Sequence, residues 1–170
     1  MVIIDKIIGN SNDIDIHTKN IDFFNIEWFE AGKKILRKKT EQGREISLRL
    51  LKEGLRLKEG DILKIDSENA VIVNILPCDA IKIVPKTLLE MGSVCYEIGN
   101  KHLPLFIQQE SVLIPYEEPI FRWLQVKEYR PEKTKEKLTC ILNSTVQPHS
   151  HSGGIGTSIL SKIINLSSNK

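Results

Sequence analysis

Along the first 76 positions, apolar residues alternate with polar ones at the two-residue period of a half-buried strand. Val2, Ile3 and Ile4, then Ile7 and Ile8, lead to the loop signal Asn10-Ser11-Asn12-Asp13. Phe24, Ile26 and Trp28 alternate with Asn25, Glu27 and Phe29, which predicts a strand carried through Trp28. Ile35 to Lys39 and Arg44 to Leu50 flank Thr40-Glu41-Gln42-Gly43 and predict a hairpin, with Ile46, Leu48 and Leu50 facing a core. After a Gly60-Asp61 turn, Ile62 to Ile65 and Ala70 to Leu76 predict another strand pair. Many short strands without a helical period predict a small all-β unit.

Pro77 marks the expected boundary, and the pattern changes beyond it. Asp79 to Val84 reads as a strand. Pro85-Lys86-Thr87 opens a helix on which Leu88, Met91, Cys95 and Ile98 form one apolar stripe, with Gly99-Asn100 as its stop. Leu103 to Gln108 and Ser111 to Tyr116 predict two strands. Pro119 fits the first turn of a second helix through Tyr129, and Leu138 to Val146 predicts a last strand. The order strand-helix-strand-strand-helix-strand is ferredoxin-like. The fold class expected is therefore α+β: an all-β domain over 1–76, a ferredoxin-like domain over 77–146, and a flexible Ser- and Gly-containing tail over 147–170. In that tail only Ile159, Ile163 and Ile164 suggest a short helix. Each domain is small enough to bury only about 60% of its chain surface, so a dimer would add stability.

Composition narrows the function classes. Lys and Arg total 24 against 22 Asp and Glu, a formal charge of +2, which is a weak footprint for binding nucleic acid or an anionic membrane. No apolar run exceeds four residues, whereas a membrane span needs about 20. The N-terminus also lacks the apolar stretch of a signal peptide, so the expected location is cytoplasmic. The three cysteines, Cys78, Cys95 and Cys140, form no Cys-x-x-Cys pair and read as reduced thiols.

The histidines are the candidate chemistry. His17 sits among Asp13, Asp15 and Thr18 in a predicted surface loop. His102 follows the helix stop and extends the stripe spacing by four from Ile98. Were the helix to continue, His102 would lie on the stripe's own face. It reads either as a helix-terminal His favoured by the dipole or as a metal ligand on a subunit-packing surface. His149-Ser150-His151 is a His-x-His pair; in extended chain both imidazoles point the same way and could share an ion. Zinc, copper and nickel all accept imidazole, and the spacing does not rank them. Cys95 lies about 10 Å along the helix from His102, too far for a thiolate–imidazole pair, and reads as core. The chain has no His-Glu-x-x-His, phosphate loop or nucleophile elbow. Lys33, Lys34, Arg37, Lys38 and Lys39 are the best nucleic-acid candidates, against a solvated hairpin face. Glu97 is expected to pair with Lys101 at i+4 rather than to serve as a hydrolytic base.

The segment Cys95-Tyr96-Glu97-Ile98-Gly99-Asn100-Lys101-His102 resembles the Gly-Asn-(Arg/Lys)-His segment of UreE, the urease accessory nickel chaperone family. Ile7-Ile8-Gly9-Asn10, Glu27-Trp28-Phe29-Glu30, Gly60-Asp61-Ile62-Leu63 and Val73-Asn74-Ile75-Leu76 are similar to it in order and spacing, from residue 1 to about 149, with a leaning to the Helicobacter-type members.

The resemblance implies a non-enzyme: an N-terminal β domain described as peptide-binding, and a ferredoxin-like domain that binds metal and forms a homodimer. It implies nickel(II), with zinc(II) as a possible occupant, bound by His102 and its twin at the dimer interface and completed by tail histidines, here His149 or His151. It implies delivery of nickel to apo-urease through the GTPase UreG and the activation complex with UreF and UreH/UreD. Having only two tail histidines, the chain departs from the His-rich members, which argues against bulk nickel storage. A two-fold axis doubles whatever ligand one chain offers. His149 follows the predicted last strand by about 3–5 residues, a reach of roughly 10–18 Å. Imidazole binds metal in its neutral form, so affinity is expected to weaken as pH falls through the ordinary imidazole range, about 6.5. The alternative reading is an RNA- or peptide-binding β module with incidental histidines.

Overall fold

The computed structural model describes residues 1–142. Its elements are β1 (Val2–Ile4), β2 (Gly9–Asn10), β3 (Asn20–Ile26), β4 (Ile35–Lys39), β5 (Glu45–Arg49), β6 (Asp61–Ile65), β7 (Asn69–Ile75), β8 (Cys78–Ile83), α1 (Leu88–Asn100), β9 (Phe106–Gln108), β10 (Ser111–Pro115), α2 (Glu118–Val126) and β11 (Glu132–Glu136).

The first seven strands form two sheets, ordered β1-β5-β4 and β2-β6-β7-β3. The expected hairpin is present as β4 and β5, with Leu36 opposite Leu48. Ile46, Leu48 and Leu50 turn inward to meet Phe24, Ile26, Val71 and Val73 of the second sheet, and this is the main core. The other face of the second sheet buries Ile62, Ala70 and Ile72 under Ile14, Ile16 and Ile21. Apolar cover on both faces explains the unbroken run Ala70 to Val73 in β7.

The remaining strands form one antiparallel sheet ordered β11-β8-β10-β9, with α1 and α2 as the connections of a ferredoxin-like βαββαβ unit. The helices cover one face, where Ile81, Ile83, Val112 and Ile114 meet Val94, Ile98 and Leu124. The opposite face carries Ala80, Phe106 and Leu113, packed with Leu138 and with Trp28 from the first half of the chain.

Several elements depart from the sequence pattern. β3 ends at Ile26, and Trp28 lies in the turns that follow. There the Glu30 carboxylate accepts the Glu27 N–H at 3.0 Å and closes the chain on itself. Trp28 is apolar because of what it touches across the molecule, which a strand period imitates. Among the described residues the last strand is β11, and the described part of the expected strand, residues 138–142, forms only an isolated bridge at Ile141. Glu-Lys-Thr-Lys-Glu has no apolar alternation, because it is an edge strand beside β8 with little to bury. Leu138 is buried instead in a strap, residues 137–142, that runs along the opposite edge of the sheet. Leu103 to Gln108 contributes only the short β9, which turns into β10 through Gln109 (φ 48°) and Glu110 (φ 64°), two left-handed residues without the usual Asn-Gly label. The expected strand residues beyond 142, the flexible tail and its short-helix candidates lie outside the described residues.

Candidate metal site

Helix α1 is set by local chemistry at both ends. The Thr87 side chain accepts the Glu90 N–H at 3.1 Å, and the Glu90 carboxylate accepts the Lys86 N–H at 2.7 Å. Arg130 pairs with the same carboxylate. The backbone hydrogen bond from Lys86 and the pairing with Arg130 outweigh desolvation and hold Glu90 below the usual carboxylate range.

At the other end the helix runs through Gly99 and ends at Asn100, at the expected Gly99-Asn100 stop. The Lys101 N–H donates to Ile98 O at 3.0 Å and the His102 N–H to Gly99 O at 2.9 Å. His102 itself takes the left-handed conformation, φ 54°, at the position where a glycine commonly ends a helix. It therefore leaves the helix rather than continuing the stripe, and its side chain is exposed.

The buried stripe is also shifted in phase. Leu88 is 88% exposed, and the inward residues are Val94 and Ile98, flanked by Met91 and Cys95. Cys95 packs against Met91 sulfur at 3.9 Å, and burial pushes its thiol up, as a core residue. Glu97 pairs with Lys127 of the next helix end at 3.3 Å, not with Lys101. Lys101 places its ammonium 4.4 Å from the Trp123 ring centroid. These two solvent-accessible contacts tie the end of α1 to α2.

The outward face of α1 is the feature the stripe concealed. Leu88, Leu89 at 81% and Tyr96 at 71% exposure line it with Gly92 and Ser93. Gly99 continues the same face one heptad after Gly92. A glycine inside a helix costs about 1 kcal/mol relative to alanine. Among the described residues nothing requires either one, since an added Cβ would meet no atom of theirs within 4 Å. Reading Leu88, Leu89 and Tyr96 as a second stripe would have found this face.

The strap approaches from the sheet edge. Its Cys140 O accepts the Ile107 N–H at 3.0 Å, and the Leu142 N–H donates to Leu105 O at 2.7 Å. Phe106 and Ile141 face each other in an antiparallel bridge. The strap thus runs from Ile107 back towards Leu105, in the direction of His102. His149 and His151 lie outside the described residues. His17 is exposed in the loop before β3, where its N–H donates to Asp15 Oδ1 at 3.0 Å. Among the described residues, no three His, Cys, Asp or Glu side chains come together as a metal-binding group.

The basic hairpin is largely neutralised by its neighbours. Lys33 and Lys38 pair with Glu30 at 3.4 and 2.7 Å, Lys34 with Glu53 at 3.8 Å, and Arg37 with Glu45 at 3.5 Å.

Residues 4–76 match the UreE urease accessory protein N-terminal domain, and residues 79–154 its C-terminal domain. A urease accessory protein UreE from Flavobacterium johnsoniae is 52% identical over 165 residues, 97% of this chain and 99% of that one. The chain belongs to the UreE family. A UreE of Haemophilus influenzae is 44% identical over 84% of this chain and 79% of its own. The Helicobacter pylori UreE stands further off at 37%, over 88% of this chain and 90% of its own, so the leaning to Helicobacter-type members is weaker than the family assignment. The two UreE domain matches follow the division between the paired sheets and the βαββαβ unit. No helix among the described residues is long and apolar enough to cross a membrane.

Proposed function

We propose that the protein is a cytoplasmic homodimeric metallochaperone that binds nickel(II) and delivers it to apo-urease, with the GTPase UreG and the UreF and UreH/UreD proteins as partners. Its role is to hold and hand over an ion, not to catalyse a reaction. The observation that carries this reading is His102, exposed at the end of a helix whose outward face is apolar and glycine-spaced. A second copy packed on that face would cover Leu88, Leu89 and Tyr96 and bring two imidazoles to one axis.

Two imidazoles leave coordination positions open, and His149 or His151 would fill them. His149 stands seven positions beyond Leu142, a span of up to about 25 Å. Leu142 is bonded to Leu105, three residues from His102, so the reach is sufficient. Ligands that can leave suit a protein that must release its cargo. Imidazole also accepts zinc(II), which is expected to compete for the same position.

Nickel titration by calorimetry, with the mass followed by size exclusion, tests the reading. The expected result is one tight nickel per dimer, abolished by His102→Ala and weakened by His149→Ala/His151→Ala. Nickel binding unchanged in His102→Ala would refute it.

A further inference from the structure

We propose that Trp123 is a positioning residue for nickel binding at His102: its ring holds the Lys101 ammonium aside from the neighbouring imidazole. The inference rests on the nickel-binding reading above, and every residue it uses is described in the structure. Lys101 immediately precedes His102. Consecutive Cα atoms lie about 3.8 Å apart, and charges act strongly on one another within about 8 Å at physiological salt. An unrestrained Lys101 side chain therefore carries its charge into the field of an ion on His102. A two-fold axis doubles the effect, so that a doubly charged ion between two imidazoles meets two ammonium groups.

The ammonium instead lies 4.4 Å from the centroid of the Trp123 ring. That ring is itself held, because Trp123 packs against the core between the helices and the ferredoxin-like sheet. The backbone parts the two neighbours. Lys101 still has near-helical dihedrals, φ −88° and ψ 1°, whereas His102 turns left-handed at φ 54°. Glu97, one turn before Lys101, is the carboxylate that a helix would offer to it. Its carboxylate goes to Lys127 at 3.3 Å, and Lys101 is left to an aromatic face. The choice matters for a metal site. The ring attracts a cation through its quadrupole but has no oxygen lone pair to offer. It thus restrains the ammonium without setting a carboxylate, a competing metal ligand, beside the imidazole.

The test is a nickel(II) titration of the full-length protein as wild type, Trp123→Leu, Lys101→Met and Lys101→Met/Trp123→Leu, at low and at high salt, with His102→Ala as the control for the underlying reading. Trp123→Leu keeps an apolar side chain in the core and removes the ring. The expected result is an affinity loss of about five-fold for Trp123→Leu at low salt, shrinking as salt is added. In the Lys101→Met background the same change should cost under about two-fold. Equal losses in both backgrounds, or a loss that salt does not relieve, would make Trp123 a packing residue and overturn the proposal, as would no loss at all. A gain above about five-fold in Lys101→Met alone would show that the ring does not restrain the charge, and would also overturn it. The metal-free wild type gives an independent readout that needs no variant to fold. The Lys101 Hε protons should resonate upfield, shifted by the Trp123 ring current, and random-coil positions would sink the contact. Nickel binding unchanged in His102→Ala would bring down the metal-site reading and this inference with it. An upfield Lys101 signal beside that result would show that the metal site, and not the contact, had failed.

Discussion

Trp28 meets Phe106 edge to face, ring centroids 5.6 Å apart and planes at 86°, and so joins the paired sheets to the helix-free face of the ferredoxin-like sheet. Trp28 packs at the same time against the core of its own half. Trp28→Ala should cost about 2–3 kcal/mol, less than a fully buried aromatic because part of the ring is exposed. Urea denaturation checks this; a loss under about 1 kcal/mol would mean that the contact does not couple the two halves.

Lys137 makes the polar counterpart of that contact. Its ammonium lies 2.6 Å from both Glu59 Oε1 and Asn74 Oδ1. The Lys137 and Glu59 side chains are 39% and 38% exposed, so solvent screens much of the attraction. A double-mutant cycle with Lys137→Met and Glu59→Gln should give a coupling of about 0.5–1 kcal/mol, falling with added salt.

Glu30 should make the hairpin sensitive to acid. Burial pushes its carboxyl up, but the hydrogen bond from Lys38, the Glu27 N–H, the Lys38 charge and the hydrogen bond from Lys33 outweigh it and leave the pKa lowered. A lowered folded-state pKa contributes stability that is present above the ordinary glutamate value of 4.5 and is lost as pH falls through the folded value. Thermal melts from pH 6 downward should show a smaller acid-side loss in Glu30→Gln than in wild type. Parallel curves would contradict the assignment.

The backbone of His102 opposes what its side chain is proposed to do. A left-handed conformation costs an L-residue about 1–2 kcal/mol, of which glycine's greater chain entropy returns part. His102→Gly should therefore raise metal-free stability by about 0.5–1 kcal/mol while abolishing nickel binding. Melting with and without nickel separates the two effects. A variant that loses both would place the imidazole in a stabilising contact.

The outward face of α1 gives a test of association. Leu89→Glu puts a charge at an 81% exposed position, where the single chain should tolerate it within about 0.5 kcal/mol. Across a packed two-fold interface the same charge has no solvent. Sedimentation should show monomer for Leu89→Glu and dimer for wild type, and dimers in both would remove this face from the interface.

Most of the β pattern was readable because alternation reports one-sided burial directly, as Ile46, Leu48 and Leu50 show. The places that misled share a cause. Trp28 and Leu138 are apolar for partners far away in sequence, so local periodicity credits them to strands. β11 is the converse, a strand that buries little and leaves no hydrophobic trace. At the candidate site, the Gly-Asn-Lys-His segment drew attention to His102 but gave no sign of its left-handed conformation. The helix stops at Gly99-Asn100 as expected, but the left-handed residue just beyond it is the histidine. Gln108 carried no signal at all, since one glutamine meets Lys137 O and the Thr139 and Cys140 N–H groups only because the fold brings residues 137–142 beside β9.

The pairing of β3 with β7 has a consequence for biosynthesis. The two strands lie parallel over seven registered pairs, with Asn25 and Asn74 in contact across 49 positions of sequence. A ribosome adding about 5–20 residues per second needs roughly 2–10 s to make the second strand after the first. Through that interval Phe24 and Ile26 have no β7 to pair with. The nascent chain thus carries an open, apolar edge until the whole β-rich half has emerged. In a crowded cell this interval, more than the finished fold, is where the protein is most exposed to chance encounters with other unfinished chains.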